Sequence, residues 1–71
     1  MNSYVRVVRL GEKVVTISIP EPLSLKEILD KSGIPIDKLR MDIRVNGKEV
    51  EDTFKVKPGD MVTILPPIRG G

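Results

Sequence analysis

The 71-residue chain contains no cysteine and no histidine. Without thiols there is no disulfide, no thiolate zinc site and no iron–sulfur cluster, and without imidazole the commonest metal ligand and catalytic base are both missing. Any catalysis would have to rest on carboxylates, lysines and hydroxyls. Aromatic side chains are down to one Tyr and one Phe, which leaves no platform on which nucleic-acid bases could stack. Twelve basic residues against ten acidic ones give a net charge of +2, too little by itself to point to a nucleic-acid partner. No apolar run approaches the roughly 18 residues of a membrane span, and Met1-Asn2-Ser3-Tyr4 does not begin like a signal peptide. A cytoplasmic protein with no membrane partner is therefore expected. One domain is expected as well, burying only about 60% of its unfolded surface, which argues against a deep active-site cavity.

What the chain does have is branched aliphatic residues in alternation. Tyr4 to Leu10 and Val14 to Ile19 read as two strands. A three-residue loop, Gly11-Glu12-Lys13, predicts Val7 opposite Ile17 and Val5 opposite Ile19, whereas a two-residue loop would set Arg6 beside Ile17. Pro20-Glu21-Pro22 ends the second strand. Ser24-Leu25-Lys26-Glu27 has the form of a capping box, so a helix should start there with Leu25, Ile28 and Leu29 on its buried face. Gly33 is placed for a left-handed cap, Ile34 can pack back on the last turn, and Pro35 prevents continuation.

Ile36-Asp37-Lys38-Leu39 connects to a third strand, Arg40 to Val45, with Met41, Ile43 and Val45 inward. Asn46-Gly47 predicts a type I′ turn into a short strand, Lys48 to Glu51. Glu51 to Lys57 reads as a polar connection in which Phe54 and Val56 cover the edge of the core. Pro58-Gly59-Asp60 is turn chemistry, and Met61 to Leu65 is the last strand, with Val62 and Ile64 inward. This order predicts an α+β protein of β-grasp type: a mixed sheet of four to five strands with one helix packed across one face. The expected core is Val5, Val7, Val15, Ile17, Leu25, Ile28, Leu29, Leu39, Ile43, Val45, Phe54, Val62 and Ile64.

Residues 1–65 are expected to form this domain and residues 66–71 an extended tail. In Pro66-Pro67-Ile68-Arg69-Gly70-Gly71 the prolines stop the strand and hold the chain extended. Six extended residues reach roughly 20 Å, enough to thread a narrow cleft on another protein. Gly70 and Gly71 have no Cβ to obstruct that passage. A terminal carboxylate on Gly71 would be the working group; a frayed terminus would have the same composition.

The whole chain resembles the ubiquitin-like sulfur carriers, a group that takes in the thiamine-pathway carrier, the molybdopterin synthase small subunit and the archaeal ubiquitin-like small modifiers. The resemblance is carried by Val45-Asn46-Gly47-Lys48, by Lys57-Pro58-Gly59-Asp60-Met61-Val62-Thr63-Ile64 and by Leu65-Pro66-Pro67-Ile68-Arg69-Gly70-Gly71. It implies that Gly71 accepts first adenylate and then sulfur, giving a thiocarboxylate for molybdopterin, thiamine or tRNA thiolation pathways. Gly70, Arg69, Ile68, Pro67 and Pro66 would thread the partner's cleft, and Met61, Thr63 and Leu65 would form a partner surface. The implied partners are a ubiquitin-activating-like adenylyltransferase, a sulfur donor and, in a synthase, a large subunit. The chain itself would be no enzyme, at most a non-catalytic subunit, and would bind no cofactor. ATP and magnesium would come through the activating enzyme, and the sequence has neither G-x-x-x-x-G-K-[ST] nor G-x-G-x-x-G.

Ile68-Arg69-Gly70-Gly71 also resembles the end of ubiquitin, so attachment to lysines through Gly71 is the alternative. A remoter one is RNA binding by a strip of Arg6, Arg9, Lys13, Arg40 and Arg44. Glu49, Glu51 and Asp52 read as a solvated acidic run rather than a catalytic cluster.

Overall fold

The computed structural model describes residues 3–35 and 41–66. The elements are β1 (Tyr4–Arg9), β2 (Lys13–Ser18), β3 (Leu23–Ser24), α1 (Leu25–Ser32), β4 (Asp42–Val45), β5 (Lys48–Glu49), β6 (Lys55–Val56) and β7 (Met61–Leu65). Five strands form a mixed sheet in the order β2-β1-β7-β4-β5, and β3 pairs with β6 in a separate two-stranded ladder. Within the sheet β1 and β7 run parallel and the other pairs are antiparallel. The helix covers one face. This is the β-grasp arrangement expected from the sequence.

The helix begins where its orphan amides find acceptors. Leu25 N–H donates to the Phe54 carbonyl at 2.8 Å and Lys26 N–H to the Asp52 carbonyl at 3.1 Å. Glu27 N–H donates to Ser24 Oγ at 3.3 Å, while the Ser24 hydroxyl donates to the Glu27 carboxylate at 3.1 Å. At the other end Gly33 takes φ 71°, the left-handed value of a C-terminal cap. Ser32 is buried there, its Oγ donating to the Leu29 carbonyl at 2.6 Å and accepting from Ile34 N–H at 3.1 Å. The buried stripe is Leu25, Ile28 and Leu29, each contributing roughly 1.5–3 kcal/mol of transfer free energy.

Beneath that stripe lie Val5, Val7, Ile17, Ile19, Ile34, Val45, Val56, Val62 and Ile64, all buried. Val15, Ile43 and Met41 are only partly covered and pack against this cluster. Leu39, expected inside, falls outside the described residues.

Several expectations are corrected. The first hairpin does have a three-residue loop, but it is Leu10-Gly11-Glu12, so Val5 faces Ile17 and Val7 faces Val15. Glu12 N–H closes the turn on the Arg9 carbonyl at 3.0 Å, which draws Lys13 into the ladder and shifts the register by two residues without exchanging faces. Phe54 is 40% exposed and Val56 is fully buried. The stretch read as a polar connection contains β6, whose pairing of Val56 with Leu23 fills the core edge. Ile19 is also fully buried, held by its N–H on the Ser3 carbonyl at 2.8 Å. The strand read from Arg40 starts at Asp42, and the one read from Lys48 to Glu51 stops at Glu49.

Candidate functional site

β7 is the central strand of the five, and it is held on both sides along its length. Against β1, Met61 lies level with Arg6 and Ile64 with Arg9. Against β4, Val62 faces Val45 and Leu65 faces Asp42. Leu10 N–H adds a bond to the Ile64 carbonyl at 3.2 Å. The chain therefore leaves the sheet at Pro66, which is exposed, from a base fixed between the first hairpin and the start of β4. Pro67, Ile68, Arg69, Gly70 and Gly71 lie outside the described residues.

Alternation along β7 turns Val62 and Ile64 to the helix and leaves Met61, Thr63 and Leu65 on the opposite, outer face. Met61 is 42% exposed; Thr63 and Leu65 are half-buried by neighbours on the same face. By register those neighbours are Tyr4, Arg6 and Val8 from β1, Val14 and Thr16 from β2, and Asp42 and Arg44 from β4. Val14, 61% exposed on the edge strand, stands opposite Val8, which in turn is level with Thr63. The face is thus apolar on the β1–β2 side of the tail exit.

On the β4–β5 side it is ionic. Arg44 donates through Nε and Nη2 to Asp42 Oδ2, each at 3.0 Å, and through Nη2 to Glu49 Oε1 at 3.5 Å. The hydrogen bond and charge of Asp42 raise the Arg44 pKa above its ordinary value, with a smaller contribution from Glu49. With these carboxylates occupied by one cation, Thr63 lies between an apolar flank and a charged one. Both flanks were present in the sequence: Val8 and Val14 alternate with inward residues in their strands, but their meeting beside β7 depends on strand order.

The remaining sequence candidates are scattered. Arg6 and Arg44 project on the outer face, whereas Arg9 and Lys13 pair with each other at the parity of the helix-covered one, and Arg9 also binds Glu12 at 2.6 Å. Arg40 lies outside the described residues. No continuous basic strip forms among the described residues, and Glu49, Glu51 and Asp52 are divided between the Arg44 pairs and the turn beneath the helix N-terminus. Among the described residues no group of three or more His, Cys, Asp or Glu side chains could hold a metal ion. Nor is any described helix long and apolar enough to cross a membrane.

A central strand that ends in an exposed proline beside a β-grasp core is matched at the level of family: residues 6–71 align with the ThiS family. The chain belongs to that family. ThiS-family proteins are sulfur carriers of thiamine and molybdopterin cofactor biosynthesis that act through a C-terminal thiocarboxylate. They are not enzymes; they interact with an activating enzyme and with sulfur-transfer partners. No curated protein gives a significant match to the chain.

Proposed function

We propose that in this ThiS-family carrier residues 1–65 are the handle and residues 66–71 the working arm, with Gly71 as the sulfur-bearing residue. The observation that supports this reading is the anchoring of β7 by β1 as far as Ile64 and by β4 as far as Leu65, immediately before the tail. A rigid base reduces the entropy lost when the tail enters a cleft. Gly70 leaves the backbone beside the acyl group unobstructed, and Arg69, Ile68, Pro67 and Pro66 line the rest of the passage. Met61, Thr63 and Leu65, with Val8 and Val14 beside them, make the surface on which an adenylyltransferase of the ubiquitin-activating type rests.

In the reaction a Gly71 carboxylate oxygen attacks the α-phosphorus of ATP, whose magnesium is held by that enzyme, and pyrophosphate leaves. Hydrosulfide supplied by the donor then attacks the acyl carbon, the C–S bond forms as the C–O bond to AMP breaks and AMP leaves, and loss of the S–H proton gives the thiocarboxylate. Because ATP is the co-substrate, we place this chemistry in the cytoplasm. A synthase large subunit would take the loaded tail in the same extended form.

The test is to incubate the full chain with a ThiS-type activating enzyme, ATP and sulfide, and to record intact mass. The expected mass gain is the difference between sulfur and oxygen, lost on deletion of Gly71. Gly70→Ala should fold normally and load slowly. An unchanged mass sinks the proposal; isopeptide adducts on lysines in place of thiocarboxylate would make Gly71 the end of a protein modifier.

A further inference from the structure

At the end of the outer face away from the tail exit there is a pocket of about 450 Å³ lined by Tyr4, Arg6, Thr16, Gly59, Asp60 and Met61. Adjacent strands build it in register: Thr16 lies opposite Arg6, and Arg6 is level with Met61. The turn before β7 closes it, with Gly59 N–H on the Tyr4 carbonyl at 2.8 Å. Gly59 has φ 95° and brings no side chain into this end.

The charges in the pocket are not equally available. Asp60 spends one carboxylate oxygen on Lys57 N–H at 2.9 Å and the other on the Asn46 side-chain amide at 3.0 Å. Arg6, by contrast, has no ion-pair partner among the described residues. The charge left for a visitor is therefore that of Arg6, which shares the pocket lining with Thr16 and the exposed Met61. A planar guanidinium binds a carboxylate through two parallel hydrogen bonds, and the thioether offers apolar contact to an aliphatic stem.

We propose that this pocket is a docking point for an acidic side chain of a protein partner, its carboxylate on Arg6 and its stem against Met61. A phosphate backbone is a poorer fit, since it is held by several cations in succession and the pocket offers a single one, Arg6. Four residues of β7 separate the pocket from the tail exit, about 13 Å at roughly 3.3 Å per residue. The pocket is thus within reach of a partner that holds the tail and rests on Met61.

The experiment is an NMR titration of the ¹⁵N-labelled full chain with an acetylated, amidated Glu-Leu-Glu-Leu peptide. The neutral control is Gln-Leu-Gln-Leu and the phosphate control an oligouridylate. The amides of Arg6, Thr16, Gly59 and Met61 should shift saturably, with a Kd at least about tenfold lower for the Glu peptide, or about 1.4 kcal/mol. Arg6→Gln should abolish that preference and Arg6→Lys retain part of it. Equal affinity for both peptides, no shift with either, or undiminished binding by Arg6→Gln overturns the proposal. Saturation of these amides by the oligouridylate at lower concentration also overturns it, in favour of a nucleic acid.

Discussion

The Asn46 side-chain amide donates to Asp60 Oδ1 at 3.0 Å, and its Oδ1 accepts Met61 N–H at 3.0 Å. One residue of the type I′ turn thus holds the first residue of β7, which its own backbone also engages through Asn46 N–H on the Met61 carbonyl at 2.8 Å. Asn46 does so at φ 52°, a left-handed value that Asn tolerates and that most residues adopt at a cost. Asn46→Gly keeps the backbone conformation and removes the two side-chain bonds; Asn46→Ala removes the bonds and adds strain. Urea unfolding should rank wild type above Asn46→Gly and Asn46→Gly above Asn46→Ala, the last destabilised by about 2–3 kcal/mol. Wild-type stability in Asn46→Gly would show that the side-chain bonds contribute nothing net.

Ser24 Oγ is the acceptor for the helix's third amide, while the first two are satisfied by carbonyls of residues 52 and 54. Ser24→Ala should therefore cost about 1 kcal/mol, within the usual range for an N-cap. Far-UV circular dichroism should show the helix retained at low temperature and lost at a lower midpoint.

Ile19 and Phe54 test the corrected core. Ile19→Ala empties a fully buried site and should cost about 2–5 kcal/mol in denaturant unfolding. Phe54→Ala removes a larger but half-exposed side chain and should cost no more than about 1 kcal/mol. The reverse ranking would mean that the aromatic ring closes the core after all.

Val14→Glu and Met61→Glu place carboxylates on the outer face without touching the core. Loading with sulfur should fall in kcat/KM by about tenfold or more, some 1.4 kcal/mol, while unfolding midpoints stay close to wild type. Unchanged loading would remove this face from the partner surface.

Substitution of the Arg44 cluster provides a contrast. Arg44 is surface-exposed, and its pairs with Asp42 and Glu49 are screened, so Arg44→Gln should leave the urea unfolding midpoint close to wild type. A loss that disappears in high salt would fit the ionic origin; a large, salt-independent loss would not.

Local pattern determined a good deal of this protein. The alternation of Val15 with Thr16, the capping box at Ser24, the Asn46-Gly47 turn and the prolines at 66 and 67 each express a short-range rule: side-chain parity, an amide seeking an acceptor, a left-handed backbone, a missing donor. Those rules were enough for the β-grasp order, for the limits of β7 and for the family resemblance of its tail. Tertiary structure decided what short range cannot. The turn closed by Glu12 set the frame of the first hairpin, and the pairing of Val56 with Leu23 rather than any pattern around Phe54 chose which side chain went inside. Strand order alone brought Val8, Val14 and Met61 onto one face of the sheet, and left Arg6 without a counter-ion among the described residues. The physical reason is that contacts between residues distant in the chain are set by which surfaces can be buried together, and that competition is settled only when all the elements are in place.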